Sequence, residues 1–221
     1  MESKDKSKVE RVLEKQKVDK KLAIINSARK LFIQNGFAST SMREIAKDAK
    51  VNLAMVNYYF NSKQILFDII FDEVFENMVN HFDIKLLLGN STIDNIANFI
   101  DSYTEGLIEN TEIPGFIFQE VYKNPDLVIS RIKRNDHMLK FLQTFLASLN
   151  NDIKEGNIRN IENPISFVLN IISMCAFPFI AKPIFEQVVN TDDTEFTKIM
   201  RARKKDIIEI FKSYLQITDK N

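Results

Sequence analysis

Apolar residues in this chain recur at spacings of three and four, the pattern of helices that each bury one face. Ile24, Ile25, Ala28, Leu31 and Phe32 mark the buried face of a first helix over about residues 7–35, with Gly36 placed to end it. Met42, Ile45, Ala46 and Ala49 line a short second helix over about 42–49. Ser41 or Thr40 can cap its first turn, and Glu44 stands at the capping-box position from Ser41. After a break at Lys50 and Val51, Asn52 can cap a third helix, about 53–59, that buries Val56 and Phe60. A fourth starts near Ser62 and buries Leu66, Ile69, Ile70, Val74, Met78 and Val79.

Beyond Gly89, helices fit about 91–110, 114–123 and 125–153, with Pro114 and Pro125 at first helical positions. A loop at 155–163 precedes a helix from Pro164 that Pro178 and Pro183 should kink or stop. A last helix, about 194–217, carries the stripe Phe196, Ile199, Arg203, Ile207, Ile210, Phe211 and Tyr214. The expected fold is all-α, with about nine helices. Residues 1–67 form an N-terminal three-helix head and 68–221 a helical body.

Composition agrees with that reading. Charged residues at 27%, hydrophobic residues at 45%, five glycines and five prolines describe a globular, nearly all-helical chain. The single Cys175 lies in an apolar run and reads as a small buried hydrophobe in a reducing compartment. The N-terminus is polar with no apolar leader segment, so the expected location is the cytoplasm. Residues 163–181 carry no charge and approach a membrane-spanning length. Asn170, Pro178, Ser166 and Ser173 interrupt them, so a buried helix is expected and no membrane partner.

The formal net charge of zero conceals a division along the chain. Residues 1–63 hold 14 Lys and Arg against 7 Asp and Glu, a net of +7, and residues 64–221 hold 16 against 23, a net of −7. A basic head on an acidic body suits a polyanion at the head, although a run such as Lys15, Lys17, Lys20 and Lys21 also suits a solvated surface.

The second and third helices are a helix-turn-helix whose second member exposes Leu53, Ala54, Met55, Asn57, Tyr58 and Tyr59. Residues 22–67 resemble the DNA-binding domain of the TetR family of bacterial regulators. The matching residues are Ala28-x-x-Leu31-Phe32-x-x-x-Gly36-Phe37, Thr40-Ser41-Met42-Arg43-x-Ile45-Ala46, Ala49-x-Val51, and Asn57-Tyr58-Tyr59-Phe60-x-Ser62-Lys63-x-x-Leu66-Phe67. The resemblance covers about a fifth of the chain. It implies a DNA-binding transcriptional regulator, and by extension a homodimeric repressor with a ligand-binding and dimerisation body. The family has Gly where this chain has Lys50. A left-handed backbone there costs a non-glycine residue roughly 1 kcal/mol, so a slightly altered turn is expected. The alternative reading is a helical protein-interaction module with a vestigial head.

In the resembled family, the positions of Thr40, Ser41, Arg43 and Lys63 clamp the DNA backbone on either side of the recognition helix. Base reading would fall to residues 52–58. Asn52 and Asn57 can each pair with adenine, while Leu53, Ala54 and Met55 can pack on thymine methyls. No Arg or Lys lies between Val51 and Lys63, so the commonest guanine contact is missing and A/T-rich half-sites are expected. Tyr58 is expected to face DNA; Tyr59 suits either a phosphate contact or the core. One such helix reads few base pairs, so a symmetric dimer on a palindromic operator of double-stranded DNA is expected.

Phe167, Ile171, Ile199, Arg203, Ile207, Ile210, Phe211 and Tyr214 of the last two helices are the dimer candidates, unless they close the monomer core. By resemblance the body holds an effector, and Tyr103, Phe116, Phe118, Met138, Phe141, Phe145, Met174 and Phe177 could line an apolar or aromatic pocket or serve as ordinary core. His81 and His137 have no metal-ligand spacing with Cys175, and no phosphate loop or nucleophile elbow is present. No catalytic residue, metal or cofactor is therefore expected.

Overall fold

The computed structural model describes residues 2–89 and 91–216, with side chains from residue 15 onward. Among the described residues there are eleven α-helices, one short 3-10 turn and no strand. The helices are α1 Glu2–Ser39, α2 Met42–Asp48, α3 Leu53–Phe60, α4 Lys63–Val79, α5 Thr92–Glu109, α6 Ile113–Lys123, α7 Pro125–Arg134, α8 Asp136–Lys154, α9 Pro164–Ile180, α10 Lys182–Val188 and α11 Asp193–Leu215. The 3-10 turn is Ile84–Leu87.

Two helices exceed the expected nine, for separate reasons. Asn135 leaves helical geometry (φ −89°, ψ 86°) and caps α8 by accepting from the Met138 N–H at 2.8 Å, which divides the expected 125–153 helix. Pro178 stays inside α9, and the chain instead turns at Ala181, where α10 starts at a 56° bend with Pro183 in its first turn. Proline in a first turn forfeits no helical hydrogen bond, so Pro183 initiates a helix rather than stopping one. Among the described residues no single helix is long and apolar enough to cross a membrane.

The chain divides into two compact units, Met1–Val74 and Phe75–Asn221. In the first, Ile24, Ala28 and Phe32 of α1 are buried with Ile45 of α2, Val56 and Phe60 of α3, and Leu66, Phe67 and Ile70 of α4. The Phe32 and Phe67 rings meet edge to face at 5.2 Å. Ile69, expected in this core, is exposed, one helical step off the Leu66–Ile70 stripe. Arg29 holds Glu73 with both carboxylate oxygens, at 2.5 and 2.7 Å, fixing α1 to α4. Gly36 breaks the end of α1 at φ 76° and ψ 168°, a conformation open essentially to glycine alone.

In the second unit α5 packs against α8, α9 and α11. Its buried stripe of Phe99, Ile100, Tyr103 and Leu107 meets Phe141 and Phe145 of α8, Phe167, Ile171 and Cys175 of α9, and Phe196, Met200 and Ile207 of α11. Burial pushes the Cys175 thiol up to about 11, against the opposing effects of Thr104 and Arg203, so it stays protonated and inert at neutral pH. At the rim, Lys204 reaches Asp101 at 2.6 Å and Glu105 at 2.8 Å, and Arg201 joins Glu105 at 3.2 Å.

Candidate nucleic-acid interface

Local capping fixes the two motif helices. Ser41 Oγ accepts from the Glu44 N–H at 3.2 Å while the Glu44 carboxylate accepts from the Ser41 N–H at 2.7 Å, completing the capping box. Those hydrogen bonds, with Lys63 nearby, hold the Glu44 carboxyl below its ordinary range. At the far end of α2 the Val51 N–H donates to Ala46 and the Lys50 N–H to Lys47, with Lys50 left-handed at φ 54°. This is a Schellman closure with lysine at the glycine position. The turn is therefore kept rather than altered: its hydrogen bonds form with lysine in place, and lysine bears the backbone strain.

Asn52 Oδ1 accepts from the Met55 N–H at 2.8 Å, so the side chain is spent on capping α3. Bidentate pairing with adenine would need that oxygen, which leaves Asn57, exposed on α3, as the adenine-reading candidate. Val56 and Phe60 anchor α3 inward. Ala54 and Asn57 are exposed, Tyr58 is 75% exposed, and Leu53 and Met55 are half-buried. Tyr59 is half-buried, its hydroxyl donating to the Lys17 carbonyl of α1 at 3.4 Å.

The phosphate candidates separate into two kinds. Arg43 and Ser41 are exposed on and beside α2. Thr40 is buried, with its hydroxyl 3.1 Å from the Leu31 carbonyl and 3.0 Å from that of Gly36. Lys63 donates to the Phe37 carbonyl at 2.8 Å and the Thr40 carbonyl at 3.0 Å, and its ammonium lies 4.2 Å from the centre of the Phe37 ring. Helix carbonyls near the end of α1 lack a full set of following N–H partners, and the Thr40 hydroxyl and Lys63 ammonium supply donors to this turn. Sequence reasoning passed over a neighbouring feature. Gln16, Lys17 and Lys20 of α1 face Asn52, Met55, Tyr58 and Tyr59 across a cleft of about 420 Å³.

The body candidates are also redistributed. Met138, Phe141 and Phe145 line an apolar cleft of about 180 Å³ with Phe82, Phe99, Leu142, Ile165, Val168, Leu169, Ile171 and Ile172. Tyr103 lines a separate polar cavity of about 400 Å³ beside His81, Asn77 and Glu109. Phe116 is buried and lines neither, and Met174 is half-buried, its carbonyl accepting from Arg203 at 3.1 Å. Phe118 and Phe177 are exposed, each two residues and so roughly 200° around the helix from the buried Phe116 and Phe179. Of the dimer candidates, Phe167, Ile171, Ile207 and Phe211 are buried inside the unit, whereas Ile210 and Tyr214 are exposed and Ile199 and Arg203 half-buried. The outward apolar residues of α9 are Ile165, Leu169 and Phe177.

A capped pair of short helices, the second presenting polar and aromatic side chains outward, defines a helix-turn-helix DNA-binding protein. Residues 24–70 match the family model described as bacterial regulatory proteins, tetR family. The chain is 26% identical to YttP of Bacillus subtilis, named a probable HTH-type transcriptional regulator, over 78% of this chain and 83% of that protein. The crystal structure of HlyIIR, a hemolysin II transcriptional regulator, superposes with a TM-score of 0.55 at 25% identity, covering 83% of this chain and 97% of that one. FadR of Bacillus subtilis, solved in complex with stearoyl-CoA, superposes with a TM-score of 0.58 at 17% identity, covering 88% and 99%. Residues 24–70 thus carry the DNA-binding domain of the TetR family, and over most of its length the chain is similar to transcriptional regulators that have this domain.

Proposed function

We propose that this regulator is a cytoplasmic homodimeric repressor that leaves a palindromic operator when a small apolar or aromatic molecule enters its body. In this reading residues 1–67 are the DNA-binding domain and 68–221 the ligand-binding and dimerisation domain. The observation that carries the effector half is the α8–α9 cleft, whose named lining residues are all apolar, as a hydrophobic ligand requires. Ile210 and Tyr214 support dimerisation, because they leave apolar surface on α11 that a second copy would cover. Arg43, Ser41 and the helix N-termini take phosphates, Asn57 reads adenine, and Ala54, Leu53 and Met55 meet thymine methyls. With no Arg or Lys on α3, the directly read positions of each half-site are A and T. An effector acts through its different affinity for the DNA-competent and incompetent states.

The test is selection of duplexes from a random pool by the purified protein, followed by gel shift over rising salt. Palindromic A/T-rich sites with steep salt dependence are expected. Guanine-dominated half-site cores would refute the base-reading scheme, and weak, sequence-independent retention would favour the interaction-module alternative. Titrating long-chain acyl and aromatic compounds into the complex tests release. A sedimentation mass of one chain on the operator would refute the dimer.

A further inference from the structure

The inner face of α1 changes character partway along. From Ile24 onward that face is apolar and buried, through Ala28 to Phe32. Continued toward the N-terminus at the same helical spacing, it becomes Lys20, Lys17 and Gln16. Those three line the cleft whose other wall is the recognition helix, at Asn52, Met55, Tyr58 and Tyr59. The hydrogen bond from Tyr59 to the Lys17 carbonyl holds the two walls together. Meanwhile Val18 and Leu22, the apolar residues of this stretch, point away and are each about half exposed. Polarity is thus inverted relative to the rest of α1, with cations toward the head and aliphatic groups toward solvent. No ion pair to Lys17 or Lys20 is present among the described residues.

The exposed cations of the motif lie on and just after α2, at Arg43, Lys47 and Lys50, and not on the α3 side. Lys63 is committed to two carbonyls, Thr40 is buried, and α3 has no cation of its own. We propose that the α1–α3 cleft is a second DNA contact, in which Lys17 and Lys20 take successive phosphates of the strand running past Tyr58. The contact extends the footprint beyond the bases that α3 reads and carries no sequence preference of its own. It rests on the DNA-binding reading above.

The experiment compares wild-type protein with Lys17→Gln/Lys20→Gln on two duplexes, one selected by the wild type and one unrelated of the same length. Binding is followed across roughly 0.05 to 0.3 M salt, where each phosphate contact contributes a slope of about 0.9. The double variant is expected to lower the slope by about 1.8 and to weaken both duplexes by the same factor, roughly 10- to 30-fold near physiological salt. Lys17→Arg/Lys20→Arg should bind as the wild type does, and so should Lys154→Gln on the body. An unchanged slope in the glutamine variant, a loss confined to the selected duplex, or an equal loss in the arginine variant would each overturn the proposal. A wild-type protein that retains neither duplex would instead refute the DNA-binding reading.

Discussion

Replacing Lys63 with methionine separates a phosphate ligand from an internal strut. Methionine keeps most of the stem and its packing on Phe37, but removes the ammionium that serves the Phe37 and Thr40 carbonyls at 2.8 and 3.0 Å. A hydrogen bond from a charged donor contributes about 1.5–3 kcal/mol, and the ring contact about 0.5–1 kcal/mol. Lys63 is half-buried, so solvent screening cuts this sum, and about 2–3 kcal/mol should remain. Hydrogen exchange at the backbone amides of α2 reports the loss, because 1.4 kcal/mol is about a factor of ten in the opening equilibrium. Protection there should fall roughly 30- to 150-fold, with the amides of α8 around Leu149 unchanged as an internal reference. If protection in α2 holds while the salt slope of DNA binding drops by about 1, the strut reasoning is wrong and Lys63 spends its charge on phosphate.

Three other outcomes are expected. Lys50→Gly should stabilise the first unit by about 0.5–1 kcal/mol, since relief of left-handed strain exceeds the added freedom of the unfolded chain, and Lys50→Val should destabilise it; equal midpoints in urea for the two would contradict the assignment. A Cβ on Gly106 would lie 2.1 Å from His81 Nε2, so Gly106→Ala should lower the melting temperature in the native background. In a His81→Ala background the same change should raise it through helix propensity, by about 1 kcal/mol, and the absence of that sign reversal would remove the packing argument. Hydrogen bonding from Lys204, with Arg201 assisting, holds the Glu105 carboxyl below its ordinary 4.5 despite some burial. Its folded pKa is depressed, so its stabilisation is present above 4.5 and lost as pH falls through the lower folded value. Glu105→Gln should therefore flatten the acid limb of the stability–pH curve, and parallel curves for variant and wild type would exclude that linkage.

Features set by neighbours in sequence were legible without a structure. The capping box, the Asn52 cap, the stop at Gly36 and the demand on Lys50 all involve partners within a few residues. Asn135 escaped because asparagine is tolerated inside a helical pattern, and only its side-chain cap reveals the break. Thr40 and Lys63 escaped for a different reason. The carbonyls that claim Lys63 are 26 and 23 residues away, exposed by a turn whose position in space no local pattern reports. In α9, apolar on both faces, periodicity does not distinguish the residues that close the core from those facing out, so for Phe167 and Ile171 a dimer contact and the monomer core both stay open in the sequence, and the structure buries them in the core. The basic wall of α1 suits a polyanion contact or a solvated surface equally in the sequence, and no local pattern reports that it faces α3 across a cleft.

The anchoring of α3 bears on how such a regulator changes its target over time. Val56 and Phe60 anchor this eight-residue helix inward, Asn52 caps it, and Tyr59 ties it to α1. The remaining outward positions contribute little to that hold, so they are free to drift under selection for a new sequence while the head stays folded. Under the base-reading scheme proposed above, operator preference and structural integrity are then inherited almost independently. A library randomised at Ala54, Asn57 and Tyr58 alone should yield folded proteins at high frequency and new specificities among them.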